Sequence, residues 1–444
     1  MPAIVNNDIR ILSANQFLNA FTSDKDEPWV TGTAYTIGDV VYNAFYKYIA
    51  TTSGTAGGSP PAHITGTVSD GGVDWLYVEQ FQNTANFFNN LYITIGHVSP
   101  WDNPGVGDET PLAPVDDFSS QLVTLSRVIS AKRLESTAVK LAIKRYEWDI
   151  TGTTVYSQFD PIVAGFAYAT PMYVFADNNI YKCLNNNGGT ASNTKPTGTS
   201  VDPIVTPGDG YTWKYMFSVE AGDALQFLTA DYVPVAVKLA DDGSNQWAVQ
   251  ANAKAQSLST VNVTNGGSGY TTATVTVDAP TSGTTATASA VINAGVIESI
   301  QLSVVGEGYD TIPNIVITGD GTLATADAVL APKGGHGSNA LLELDARYAI
   351  VNARFDDTES GYFPITGESD FRQIAIIVDP LDVNGDDAEA PRYIGADHDD
   401  WDGAETSGKS ELKKGSGTLL YLENIAPVVR STGQIEDLKI TLKF

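Results

Sequence analysis

Tyr211-Thr212-Trp213-Lys214-Tyr215-Met216-Phe217 constrains this chain more than any other stretch. Aromatic residues occupy every second position, and period two marks a strand with one buried face. Each such ring buries about 150–250 Å², so four in register anchor a core. The preceding Pro207-Gly208-Asp209-Gly210 is a turn, because proline presets φ while glycine and aspartate tolerate positive φ. Tyr211, Trp213, Tyr215 and Phe217 are expected inside, with Thr212, Lys214 and Ser218 facing outward. The same alternation would also suit a sugar- or peptide-binding stripe, but a core strand is the simpler reading.

A length of 444 residues leaves room for about three domains, each with its own core. Acidic residues number 52 against 25 lysines and arginines, a net charge of −27. Such a surface repels phosphate backbones, so no direct nucleic-acid partner is expected. The single cysteine, Cys183, rules out an intrachain disulfide and a cysteine-based zinc site. No basic-then-apolar leader opens the chain, and no apolar run nears the length of a membrane span. Neither a signal peptide nor a membrane partner is expected.

Taken in order, Asp8 to Leu12 read as a short strand, and Ser13-x-x-Gln16 as a capping box opening a helix with Phe17, Leu18 and Phe21. Residues 28–80 form a small β module carried by Trp29, Tyr35, Val40-Val41, Tyr46 and Trp75, with Thr51 to Pro61 as a loop. The module resembles small chitin-binding-type domains, in which exposed aromatics stack on sugars; Trp29, Tyr35 and Trp75 are then the candidate glycan-binding residues. The competing reading makes these rings the core of a small domain. An internal echo favours it. Tyr46-Lys47, Gly57-Gly58, Thr65-Gly66-Thr67, Asp70-Gly71 and Trp75-Leu76-Tyr77 recur as Tyr181-Lys182, Gly188-Gly189, Thr197-Gly198-Thr199, Asp209-Gly210 and Trp213-Lys214-Tyr215. The Tyr–Trp spacings are 75 − 46 = 29 and 213 − 181 = 32.

Further on, Asp116 or Asp117 caps a helix whose apolar face is Phe118, Leu122, Leu125 and Ile129, with Lys132 and Arg133 near its C-terminal end. Val139 to Ile143 is a strand. Lys144 and Arg145, the densest basic spot, are a candidate partner contact. Residues 258–330 hold a two-copy repeat: Asn265-Gly266-Gly267-Ser268-Gly269-Tyr270 recurs as Val304-Val305-Gly306-Glu307-Gly308-Tyr309, a period of 309 − 270 = 39. Short strands between glycine turns predict an all-β body. Leu381 to Trp401 reads as an acidic loop.

Catalytic and cofactor patterns are weak. Asp382-x-Asn384-x-Asp386 begins like a calcium loop, but Asp387 and Tyr393 stand where glycine and glutamate are required. Gly319-x-Gly321-x-x-Ala324 has no helix behind it to receive a dinucleotide phosphate. His63, His97, His336 and His398 are scattered singly, no nucleophile elbow is present, and nothing singles out two acids for glycoside hydrolysis. No catalytic residue, cofactor or metal ligand is assigned.

Four segments share a resemblance, in the same order. They are Asn90-Leu91-Tyr92-Ile93-Thr94-Ile95-Gly96-His97 with Ser99-Pro100-Trp101; the 206–219 stretch; Phe371-Arg372-Gln373-Ile374-Ala375-Ile376-Ile377 with Pro380-Leu381; and Tyr421-Leu422-Glu423-Asn424 with Pro427. Together they resemble the baseplate wedge protein of T-even-type contractile-tailed bacteriophages. The division that follows is 1–27, 81–251 and 338–444 as wedge core, with 28–80 and 252–337 as inserted β modules. The expected fold is mainly β (α+β), a β-sandwich-like multi-domain core with few short helices. The resemblance implies a non-enzymatic virion protein of the tail baseplate, made in the host cytoplasm. It also implies a homodimer, partnered by other wedge proteins, that takes part in the change triggering sheath contraction. A carbohydrate-binding adhesin using the 28–80 module is the alternative, with a host glycan as partner.

Overall fold

The aromatic stretch is a strand, Thr212–Ser218. In this computed structural model Tyr211, Trp213 and Tyr215 are at most 1 % exposed. The opposite face is covered too: Lys214 and Met216 are buried, and only the ends, Thr212 and Ser218, are half-exposed. The expectation that Lys214 faces outward is therefore corrected. Asn179–Asn185, paired alongside, is likewise buried through its middle.

The structure describes residues 27–43, 46–80, 90–97, 111–163, 166–356, 371–395, 410–429 and 435–444, with positions 10, 11, 13, 14, 17 and 18. Strands dominate, and the described helices are short. The chain divides into two compact units. One comprises Met1–Ala14, Leu141–Tyr348 and Lys443–Phe444, and the other Asn15–Lys140 and Ala349–Leu442.

In the first unit, Tyr173–Ala176, Asn179–Asn185, Thr212–Ser218 and Ile204–Val205 form a four-stranded sheet in that order. In the second, Val40–Asn43, Tyr46–Ala50, Val73–Gln80 and Thr67–Asp70 follow the same order, with Glu27–Pro28 added at the edge. The internal echo is thus a repeated four-stranded sheet in which the fourth strand lies between the second and the third. Tyr48 pairs with Tyr77 and Tyr181 with Tyr215, ring edge to ring face, at 6.2 and 6.0 Å. The two hydroxyls donate to His63 O and Gly198 O. Ala50 faces Trp75 and Cys183 faces Trp213, and both tryptophans are 0 % exposed. Asp70 accepts from the amides of Gly57 and Ser59, and Asp209 from those of Asn193 and Thr194. The strand register makes Tyr48, not Tyr46, the counterpart of Tyr181.

The repeat is a single barrel. Leu258–Ser268, Ala273–Val277 and Thr287–Asn293 come from one copy; Val296–Val304, Ile315–Gly319 and Thr322–Leu330 come from the other. Along the sheet they run Ile315–Gly319, Ala273–Val277, Thr287–Asn293, Val296–Val304, Leu258–Ser268, Thr322–Leu330, so the strands of the two copies are interleaved. The edge strands Ile315–Gly319 and Thr322–Leu330 lie against each other to close the ring. Val261 pairs with Ile300, its own counterpart at 300 − 261 = 39. On the far side Val277–Ile315 and Thr276–Val316, separations of 38 and 40, straddle the same value. A pseudo-twofold axis therefore runs through the barrel. Tyr270 and Tyr309 each centre one half of the interior. Gly267 and Gly306 have φ of +64° and +71°, and a Cβ on either would meet its tyrosine ring at under 3 Å. Glycine is needed there for both reasons.

In the second unit a six-stranded sheet runs Glu411–Leu412, Arg392–Gly395, Val128–Arg133, Leu91–Gly96, Phe371–Val378, Thr418–Val428. Leu91–Gly96 is buried throughout. Tyr92 donates to Ala388 O and Ala390 O and packs edge-on against Tyr393 at 5.6 Å.

Several local expectations are overturned. Arg10 and Ile11 are helical, not extended, and Ser13 lies inside helical backbone instead of capping it. Asp117 does cap a helix, Phe118–Ser126, by accepting from Ser120 N. That helix stops before Ile129, which lies with Lys132 and Arg133 in the Val128–Arg133 strand. β-Branched Val128 and Ile129 fit a ladder paired on both sides better than a helix. Phe118 is consequently 81 % exposed. Within the expected acidic loop, Arg392–Gly395 is a strand, because buried Tyr393 and Ile394 supply core. Trp101, His398 and Trp401 lie outside the described residues.

Replacing Trp213 with alanine should destabilise the fold by about 3–5 kcal/mol in urea melts. A loss under about 1 kcal/mol would mean the cavity collapses or the ring is solvated.

Candidate functional site

Lys182 and Lys214 sit directly opposite each other at the centres of adjacent strands, both buried. Like charges in that position repel, and burial removes the water that would screen them. The fold answers with Glu343. The short helix Ala340–Glu343 is capped by Asn339, whose side chain accepts from Leu342 N. It delivers Glu343 Oε2 to 2.8 Å from Lys182 Nζ. The same carboxylate accepts from Gly337 N at 2.9 and 3.1 Å and from Asn339 N at 3.2 Å. Gly337 has φ +90°, and a Cβ there would strike Val249. Lys182 Nζ also lies 4.1 Å from the centre of the Phe159 ring.

His336 completes the cluster. Its Nε2 is 2.9 Å from Ser259 Oγ, its ring stands edge-on to Phe159 at 4.9 Å, and its Nδ1 is 3.7 Å from Glu343 Oε2. Burial, reinforced by the Lys182 charge, holds its pKa down to about 4, so the ring is neutral at pH 7. Burial alone would raise Glu343, but Lys182 and the hydrogen bonds outweigh it and bring the carboxyl to about 2. Burial lowers both lysines from their ordinary value, opposed by Glu343.

Lys182, fully enclosed, cannot reach a substrate, and its pairing with Glu343 is architectural. Lys214 differs. It donates to Val201 O and lines a cleft of about 520 Å³ with Thr212, Ser257, Ser259, Leu302 and His336. A volume of that order accommodates a small ligand.

The residues nominated from sequence are placed elsewhere. Trp75 and Tyr35 are buried, 5.0 Å apart edge to face, and half-buried Trp29 packs on the same core. A ring at 0 % exposure, such as Trp75, offers no face for sugar stacking. Arg145 is committed to Glu147 and Thr229 O and lies over Phe175 at 4.9 Å. Lys144 is exposed and lines a separate cavity of about 310 Å³ with Tyr146, Asp345 and Arg347, so the two basic residues do not form one patch. Asp382 turns inward on its own loop, accepting from Asn384 N and Asp386 N. Among the described residues no group of three or more His, Cys, Asp or Glu is arranged to hold a metal. No described helix is long and apolar enough to cross a membrane. Sequence reasoning missed the Lys182–Glu343–His336 cluster. No local signal marked it: Lys47, which the echo aligns with Lys182, is not its structural counterpart, because Ile49 holds that place.

Glu343→Gln should cost about 3–5 kcal/mol by leaving two buried lysines uncompensated, while Lys182→Met with Glu343→Leu should recover most of that loss. Urea melts of the two variants check this; equal losses in the single and the double variant would contradict it. Acid should also weaken the fold. His336 and Glu343 both have folded pKa values below their unfolded ones, so the unfolded chain takes up more protons as pH falls from about 6.5 through 4. His336 alone accounts for up to about 3 kcal/mol across that window. Asp345, raised to about 6 mainly by burial, acts in the opposite sense. His336→Gln should flatten the slope of stability between pH 6.5 and 4.5 in urea melts, and an unchanged slope would assign it to other groups.

Comparison with known proteins adds one finding. Residues 339–444, about a quarter of the chain, match the family model described as Phage-Gp8, Bacteriophage T4, Gp8. No curated protein matches the chain. The matched segment contains Glu343 and the Phe371–Val378 and Thr418–Val428 strands. It supports a structural role in a phage baseplate.

Proposed function

We propose that this chain is a structural subunit of a contractile-tail baseplate wedge. In this reading it is a homodimer that joins other wedge proteins at the distal end of the tail. It takes part in the rearrangement that triggers sheath contraction and performs no catalysis. One observation carries the reading beyond the matched quarter. Phe371–Val378, inside the match, pairs along its length with Leu91–Gly96, which lies about 280 residues earlier and outside it. Three of the four segments that resemble the wedge protein are therefore neighbouring strands of one sheet, and the fourth centres the sheet of the other unit. The surfaces suited to such a role are broad β faces, where large, partly polar contacts form.

Mass spectrometry of purified virions, separated into heads and tails, tests the assignment. The protein should be found with the tail-tip fraction, and its absence from virions would overturn the reading. Light scattering of the purified chain should give the mass of two copies.

Residues 28–80 and 252–337 are, in the same proposal, inserted modules on the wedge core. The ends of the second lie together: Gln256 N donates to Lys333 O, and Gly335 is so close to the Lys254 backbone that no Cβ fits between them. Deleting residues 255–335 should leave a folded dimer, since the join spans adjacent backbone. Aggregation of the deletion protein, or a monomeric mass, would contradict it.

A further inference from the structure

The cleft beside Lys214 inverts the charge balance of the whole molecule. The chain carries 52 acids against 25 basic residues, yet the charged residues lining this cleft are Lys214, Lys254 and Asp202, with His336 neutral. Lys214 is 5 % exposed. An ammonium has three donors, and the described acceptor is Val201 O. Among the described residues no carboxylate comes within ion-pairing distance of it, because Glu343 is taken by Lys182. A buried cation so placed gains strongly from an anionic oxygen. Around it, Thr212, Ser257, Ser299 and Gln301 line the cleft with side-chain hydroxyls and an amide that hydrogen-bond to no described residue. The lining carries a net charge of one positive unit, which matches a single carboxylate better than a phosphate dianion. The neutral hydroxyls and amide match a hydroxylated body.

We infer that this cleft binds a hydroxylated monocarboxylate of the sugar-acid class, with Lys214 as the ion partner of its carboxylate. The cleft volume of about 520 Å³ holds such a molecule with room for a neighbouring unit. Lys254 at the exposed rim adds weaker, screened attraction.

Calorimetric titration of the full chain with glucuronate, glucose and inorganic phosphate tests this. Glucuronate should bind with a dissociation constant of about 1 mM or tighter, and glucose and phosphate should bind at least about tenfold more weakly. Lys214→Met, shown to be folded by circular dichroism, should lose about tenfold or more in affinity for glucuronate. Lys254→Gln, an exposed change that leaves the fold intact, should lose about twofold, and added salt should weaken binding to the unaltered chain. No heat with glucuronate, equal affinity for glucose, or unchanged affinity in Lys214→Met overturns the inference. Should Lys214→Met fail to fold, salt-insensitive binding that Lys254→Gln leaves unaltered overturns it equally.

Discussion

One carboxylate reconciles two buried ammonium groups with an otherwise apolar sheet. Removing a charge from water costs several kcal/mol after relaxation, and Lys182 and Lys214 face each other across one ladder. Glu343 makes this tolerable by reaching the sheet from a helix of one turn, anchored by amides at Gly337 and Asn339. The dependence is mutual. The loop that carries His336 and Gly337 is ordered by the carboxylate it surrounds, and Lys182 is held by a group that is positioned only when the loop is in place. Such an arrangement adds little net stability over a hydrophobic equivalent but penalises any other docking of the loop.

The parts of the fold set by side-chain period were legible in the sequence. Alternating aromatics located the central strand, and glycine-tyrosine spacing located the repeat. What was not legible depended on partners distant in sequence. Nothing in Lys214 itself announces burial, since its neighbours alternate as an exposed position would. Its burial is set by chain distant in sequence, the Gly337 loop that packs over it. Ile129 continued a helical stripe from Phe118, yet its ladder partners on both sides pulled it into a strand. The candidate site was missed for the same reason, because its residues come from two strands, a loop and a one-turn helix that no local pattern connects. Trp75 and Tyr35 were visible as a set, but whether a ring is core or platform depends on what covers it, and here the module's own strands do.

Duplication explains much of the architecture. The four-stranded sheet occurs once in each unit, with tryptophan, tyrosine pair and loop-capping aspartate in equivalent roles. The barrel duplicates differently, since its copies exchange neighbours and neither closes a core alone. Both forms build rigid β bodies from little sequence information, which suits a protein read as a scaffold. The lysines are where the duplication diverges. Ile49 occupies the place of Lys182, facing Leu76 where Lys214 faces its partner, so the charge cluster and its cleft belong to one copy only.

The Leu91–Gly96 strand lies between Val128–Arg133 and Phe371–Val378. On a ribosome, its second neighbour emerges about 280 residues later, or on the order of tens of seconds at about 5–20 residues per second. Through that interval an apolar edge has one side of its ladder unfilled, while the intervening unit can collapse as a finished excursion. Nascent chains of this protein would therefore carry a long-lived sticky edge, and their yield should depend on how fast translation reaches the last quarter and on holdase chaperones available meanwhile.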